Sequence, residues 1–462
     1  MKKKWLITLS LLLTVLFVYS TVFGGYFDKS EYAARRKKLM EMIPDGVAII
    51  LGAQMPGGYF SFYQNNNIMY FSGVEIPGAI LVIDGMKKES ALFFTISERA
   101  ARNEGINLEL VRNPKKVTGI ENVYPIESFS SYLSRLVSQT KVLYTPFKPQ
   151  ELERECTNEK FRTIFNNMTM NRWDGRLTRE LQFVKLLKER FPNVKIKDCS
   201  EMIWNLRIIK SPAEIELLRK VGKIGVKAHI ELMKAVAVGV HEYELASLFE
   251  YYCKKEGAQN LAYYTIICSA ENHPYVHYHK YDRVLKDGDF LVIDAGPDYH
   301  YYDIDITVSY PANGKFTPRQ REIYEASNAV HKACMSLYKP GITPQEIREK
   351  VKEILKEQGF DLSKDIFKQR TMRGGCGHYV GMAVHDVGGG PRGPLKPGMV
   401  FANEPFAVFP GENLGVRVED TILITEDGYE NLTAGIPREI NEIEAMMKKK
   451  GAIQVLKKAG IY

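Results

Sequence analysis

The pattern of apolar and polar positions divides the chain into two halves of different rhythm. In the first half, residues 28–43 place Tyr32, Leu39, Met40 and Ile43 on one face of a helix, which Pro44-Asp45-Gly46 ends. Short apolar runs at 47–51, 79–83 and 91–95 predict strands. Helical patterns follow at 128–138, 149–166 and 177–191, the last stopped by Pro192. Strands alternating with helices predict an α/β domain over 25–200.

The second half repeats itself. Ser211-Pro212-Ala213-Glu214 is a helix start with Ser as cap, Pro in the first turn and Glu closing the box. The device returns at Thr317-Pro318-Arg319-Gln320 and Thr343-Pro344-Gln345-Glu346. Gly239-Val240-His241 leads into a helix ending at Gly257, and Gly341-Ile342-Thr343 into one ending at Gly359. Leu285-Lys286-Asp287-Gly288 then runs through apolar residues to Asp294, as Leu395-Lys396-Pro397-Gly398 runs to Glu404. Each copy therefore predicts two helices and a strand hairpin. The second arm carries Asp305 in one copy and Glu419 in the other, and His277 and His378 precede the two hairpins.

Two hairpins related by an approximate twofold would bring four carboxylates and one or two histidines together. Four carboxylates in one buried pocket cannot all ionise without cations. One divalent ion would be over-charged by four such ligands, whereas two would be balanced. Oxygen-rich ligation with a single imidazole favours Mn²⁺, with Co²⁺, Zn²⁺ or Fe²⁺ as alternatives. Two such ions can activate a shared water, which points to hydrolysis at a carbonyl or phosphoryl group. His385-Asp386 lies seven residues beyond His378 and joins the candidate site. Arg417, two residues before Glu419, shares its face and is expected to orient Glu419 or a substrate carboxylate, or equally to form a simple salt bridge. Gly388-Gly389-Gly390 lacks the Lys-Ser/Thr of a phosphate loop and reads as a flexible turn. His241, His273, His279, His300 and His331 read as surface or structural histidines.

Composition changes this picture little. Hydrophobic residues make up 45% and charged residues 26%, which fits a globular chain of two domains. Three of the eight net positive charges come from Lys2, Lys3 and Lys4, and no basic stripe is interleaved with aromatics. Nucleic acid is therefore not an expected partner. The three lysines precede an uncharged, mostly apolar run from Trp5 to Phe23. Residues 1–24 read as a signal peptide, or as a membrane anchor if uncleaved, and predict export of the rest. The six cysteines form no CxxC pair, and most of them read as small buried apolar residues.

Five stretches together resemble the pita-bread metallopeptidases, a family that includes methionine aminopeptidase, Xaa-Pro aminopeptidase and prolidase. They are RIIKSPAEIELLRK (207–220), VIDAGPDYHYYDIDIT (292–307), GHYVGMAVHDVG (377–388), NEP (403–405) and VRVEDTILIT (416–425). The resemblance implies an α+β fold: a pita-bread catalytic domain over 205–440, the α/β domain before it, and a helical tail over 441–462. It implies Asp294, Asp305, His378, Glu404 and Glu419 as the metal ligands, with Asp305 and Glu419 shared between two ions. His277 and His385 would bind substrate and stabilise the tetrahedral intermediate, and Glu404 would accept a proton. RRKKLMEMIPDGVAIILG (35–52) and FYQNNNIMYFSGVEIPGAILVI (62–83) resemble the N-terminal domain of aminopeptidase P and prolidases. That domain narrows the implied activity to the Xaa-Pro bond of peptides with proline second, in a homodimer or higher homo-oligomer. Prolidase, acting on dipeptides, is the alternative enzyme, and a non-catalytic pita-bread binding protein the alternative of another class. Phe406, Ala407 and Val408 stand where the family often has Gly and then Tyr, Gly374 where some relatives have His, and Val308 where Arg is common.

Overall fold

The computed structural model describes residues 25–57, 61–150 and 158–460. The expected signal or anchor segment, residues 1–24, lies outside them. Among the described residues no helix is long and apolar enough to cross a membrane. The chain forms two compact units that part between Leu206 and Arg207.

The first unit is built on a six-stranded sheet. Its spatial order is Asn122–Tyr124, Glu89–Phe93, Ile80–Asp84, Val47–Leu51, Val142–Thr145 and Lys195–Asp198. The three central strands of the apolar pattern pair antiparallel, and the flanking pairs are parallel. Val47–Leu51 is buried at every residue, as an apolar run covered on both faces must be. Within it, Ile49 belongs with Val82, Phe93, Leu136 and Leu187 to the unit's main core. The helix Asn66–Ser72 is absent from the pattern because its polar residues Asn66 and Asn67 are buried. Arg35 and Arg36, also buried, donate to the carbonyls of Tyr70 (3.0 Å) and Phe71 (2.7 Å) at the end of that helix. They thus satisfy groups that a helix C-terminus leaves open.

The second unit shows the repeat. Helices Pro212–Ala235 and Glu242–Lys255 precede the strands Ile266–Ser269, Phe290–Asp294 and Thr307–Pro311. Helices Pro318–Met335 and Pro344–Glu357 precede Val400–Asn403, Asp420–Ile424 and Tyr429–Asn431. All three predicted capping boxes are formed. In each copy the long antiparallel pair breaks and gives way to a smaller hairpin. The first break leads into Pro297–Tyr299 and Tyr302–Asp303, the second into Phe406–Phe409 and Leu414–Arg417.

The expectation that Asp305 and Glu419 sit within strand arms is corrected by these breaks. Asp305 stands two residues before Thr307–Pro311, and Glu419 stands between Leu414–Arg417 and Asp420–Ile424. A residue at a break is released from the strict alternation of a strand, so its side chain can be re-aimed. Gly388-Gly389-Gly390 lies at a close-packed turn. The Tyr379 amide donates to Gly389 O at 2.6 Å, and a Cβ on Gly390 would lie 2.2 Å from Gly377 O.

The first break requires glycine, since a Cβ on Gly296 would lie 1.7 Å from Ile304 O. The opposing atom is backbone and can yield only by separating the strands. Gly296→Ala is expected to destabilise the protein by about 3 kcal/mol, read as a lower urea midpoint with an unchanged denaturant slope.

Candidate metal centre

Asp294, the last residue of its strand, and Asp305, just beyond the small hairpin, meet at one phenol. Tyr263 Oη lies 2.5 Å from Asp294 Oδ1 and 2.5 Å from Asp305 Oδ1. From the second copy, Glu419 and His378 come close to Asp305, with ligand atoms of all three within 4.8 Å of one another. His378 Nε2 is 3.3 Å from Asp305 Oδ2 and 3.7 Å from Glu404 Oε1. Glu404 is the most open of these acids, its side chain 25% exposed. Gly377 makes room for it, because a Cβ there would be 2.8 Å from Glu404 Oε1.

The hairpins are joined beside these acids. The Glu419 amide donates to Thr307 O at 3.1 Å, and Thr307 Oγ1 donates to Glu419 Oε2 at 2.6 Å. Thr421 Oγ1 accepts from the Asp305 amide (3.1 Å) and donates to Asp305 O (2.9 Å). Each shared-ligand candidate is therefore fixed through the opposite copy of the repeat.

The electrostatics are those of a pocket suited to cations. Burial, opposed by Arg417 and reinforced by Asp305, pushes the Asp294 carboxyl up to about 7. Burial and the charges of Asp305 and Glu404 push Glu419 well above the ordinary range. Asp305 is lowered instead: burial works against it, but the hydrogen bond and charge of His378 prevail. Burial alone would lower His378, yet Asp305 and Glu404 raise it to about 9. Glu419 Oε1 is buried with no hydrogen-bond partner among the described residues. A carboxylate oxygen left unpaired in a pocket of acids is costly unless a cation meets it. Divalent ions thus fit this donor set, and Asp294, Asp305, His378, Glu404 and Glu419 are the residues that could hold them.

Of the remaining candidates, His385 stands edge-to-face on His378, ring centroids 4.1 Å apart, with Nδ1 buried and unpartnered among the described residues. Burial and the neighbouring His378 hold it well below the usual imidazole range. His277 is half-buried, on the loop after Ile266–Ser269. Arg417 forms a salt bridge, the plainer of its expected roles. Its Nη1 donates to Asp294 Oδ2 rather than meeting Glu419, and its guanidinium lies 5.0 Å from the Phe406 ring centre. The break after Leu414–Arg417 turns Arg417 and Glu419 to different partners. His273 and His331 are buried, His273 with Nε2 2.9 Å from Phe290 O. Cys199, Cys253, Cys268 and Cys334 are buried free thiols, Cys376 is half-buried, and Cys156 lies outside the described residues.

Several residues that shape the site are given no role by the sequence, even where they fall inside a quoted motif. Tyr263 stands in an ordinary aromatic strand approach, and Thr307 reads as a β-branched strand residue. Asp386 is held by Arg207 Nη2 at 2.6 Å and lies 3.4 Å from Lys210 Nζ, all three side chains 1% exposed. That triad anchors the loop bearing His385. Arg207 and Lys210 fall inside RIIKSP, where nothing local announces a partner 179 residues away.

Residues 216–426 match metallopeptidase family M24, and residues 32–144 match the aminopeptidase P N-terminal domain. The chain is 30% identical to Xaa-Pro aminopeptidase 3 of Mus musculus, over 91% of this chain and 86% of that one. It is 34% identical to the Xaa-Pro dipeptidase of Pongo abelii, over 90% of this chain and 93% of that one. Among solved structures it is similar to proline aminopeptidase P II from Yersinia pestis, with a TM-score of 0.74 and 29% identity. That likeness covers 91% of this chain and 100% of the other.

Mn²⁺ at a hundredfold its dissociation constant is expected to stabilise the protein by about 2.7 kcal/mol, seen as a higher melting temperature. Glu419→Ala should remove most of that shift and lower the bound metal found by elemental analysis. Asp386→Ala strands two buried cations and should cost about 3–5 kcal/mol, measured by urea unfolding with metal absent.

Proposed function

The chain belongs to metallopeptidase family M24, in its Xaa-Pro aminopeptidase branch, and we propose that it releases the first residue of peptides whose second residue is proline. The observation that carries this reading is the meeting of four carboxylates and His378 at the junction of the two repeats. The match of residues 32–144 to the aminopeptidase P N-terminal domain supports proline specificity.

Asp294, Asp305, His378, Glu404 and Glu419 would hold two divalent ions, for which the oxygen-rich donor set supports Mn²⁺. Bound there, such ions polarise a carbonyl and supply a water-derived nucleophile near neutral pH. The chain's own groups do the rest. Arg417 holds one oxygen of Asp294 and Tyr263 the other, which fixes that carboxylate's orientation. Glu404, the most exposed of the acids, would take a proton from the attacking water and pass it to the leaving nitrogen. His385, with an unpartnered Nδ1 and its ring against His378, would donate to the developing oxyanion. A small apolar cleft adjoins Asp294 and Arg417, walled by Ile266, Cys268, Val292, Phe406 and Val408. The bond to proline has no N–H, so a site that acts on it cannot rely on donation from the scissile amide.

The 34% identity to an Xaa-Pro dipeptidase favours a second reading, action on dipeptides alone. The lysine-led apolar run at Lys2–Phe23 supports export of the protein or a membrane anchor. Assembly as a homodimer or larger homo-oligomer accords with the family resemblance.

With Mn²⁺ present, the protein is expected to cleave Xaa-Pro-Xaa tripeptides, followed by chromatography of the freed first residue. Cleavage of Xaa-Pro dipeptides with tripeptides spared would establish the dipeptidase reading instead. Glu404→Ala should lower kcat at least about a hundredfold while the protein stays folded by circular dichroism. Cleavage of neither substrate by Mn²⁺-loaded protein would overturn both enzyme readings.

A further inference from the structure

Arg438 lies in the turn that leads to the helix Ile440–Met447, far in sequence from the first small hairpin. Its guanidinium nevertheless reaches the joint between them. Nη1 donates to Thr307 O at 2.6 Å, and Nη2 donates to Glu419 O and, at 2.8 Å, to Asp420 Oδ1. Thr307 O is the same carbonyl that accepts the Glu419 amide. One planar group therefore spans the main chain two residues after Asp305 and the main chain of Glu419 itself. The arginine is fixed in turn: its carbonyl accepts from Tyr324 Oη and Asn328 Nδ2, both at 3.0 Å, on the helix Pro318–Met335.

We propose that Arg438 is a positioning residue for the metal centre, setting the separation of the Asp305 and Glu419 carboxylates by clamping the two hairpins together. It touches neither carboxylate and acts through main-chain carbonyls. The inference rests on the reading of Asp305 and Glu419 as ligands shared by two ions. The simpler account of Arg438 is that it is the counter-charge of buried Asp420, whose other oxygen lies 3.1 Å from His331 Nε2. The two accounts separate at lysine. An ammonium keeps the charge beside Asp420, but as a compact point charge it cannot hold three acceptors in the plane that the guanidinium fork matches.

The test uses the full chain, with Co²⁺ as the probe, in wild type, Arg438→Lys and Arg438→Met. Leu355→Ala, a core change on the helix Pro344–Glu357, controls for lost stability alone. Calorimetry gives Co²⁺ affinity, visible absorption reports the coordination, and melting of the metal-free protein reports the fold. Arg438→Lys is expected to bind Co²⁺ about 10–100-fold more weakly with a shifted absorption band. Its metal-free melting should stay near wild type, and kcat should fall with KM for a tripeptide little changed. Arg438→Met should weaken Co²⁺ at least as much. Wild-type affinity and spectrum in Arg438→Lys would overturn the inference. So would an equal loss of affinity in Leu355→Ala at matched loss of melting temperature. Wild-type protein that takes up no Co²⁺ would overturn the metal reading and this inference with it.

Discussion

The site depends on the seam where the two halves of the repeat meet, Thr307 against Glu419 and Asp305 against Thr421. Like charges repel, so acids from two hairpins would separate if each hairpin were free to settle alone. Hydrogen bonds between main chain and hydroxyl groups hold them at the joint before any cation arrives. A buried hydrogen bond contributes only about 1 kcal/mol, yet several act on the same few residues and each fixes a direction. The seam therefore gives geometry more than it gives stability, and that geometry is what a pair of dications requires. Tyr263 and Arg417 extend the same logic to Asp294, and the Arg207–Asp386–Lys210 triad extends it to the loop of His385.

The breaks in the strands make this possible. An unbroken strand would alternate Asp294 and its neighbours between core and opposite face, and would carry Asp305 and Glu419 by parity alone. Interrupting each long pair and inserting a small hairpin frees the residues at the break from that rule. It also costs local pairing, which Gly296 makes tolerable by letting the chain pass close to Ile304 O.

Much of this is open to a reader of the sequence, and the reasons differ by residue. Asp294, Asp305, Glu404 and Glu419 are legible because the repeat presents each pair twice, and coincidence seldom does. The helix starts at Ser211, Thr317 and Thr343 are legible because a capping box is a local code. Strand parity puts Arg417 on the side of Glu419, but its partner Asp294 comes from the other copy, 123 residues away, and no local spacing announces it. Tyr263 and Arg438 are invisible for another reason. Each acts once, through a single hydrogen-bonding group, with no counterpart in the other copy and no spacing to betray it. The short helix Asn66–Ser72 hides behind buried asparagines, a polarity that usually marks a loop.

The order of the two hairpins along the chain has a consequence for biosynthesis. Asp294 and Asp305 leave the ribosome long before Glu404 and Glu419, and Arg438 follows later still. Contacts so distant in sequence form late, after slow closure of a long loop. During synthesis the first two acids are a weak, open pair with no claim on any particular cation. Selectivity comes into being only when the final hairpin docks. The residues that could hold divalent ions therefore stand together only after the whole repeat has been made.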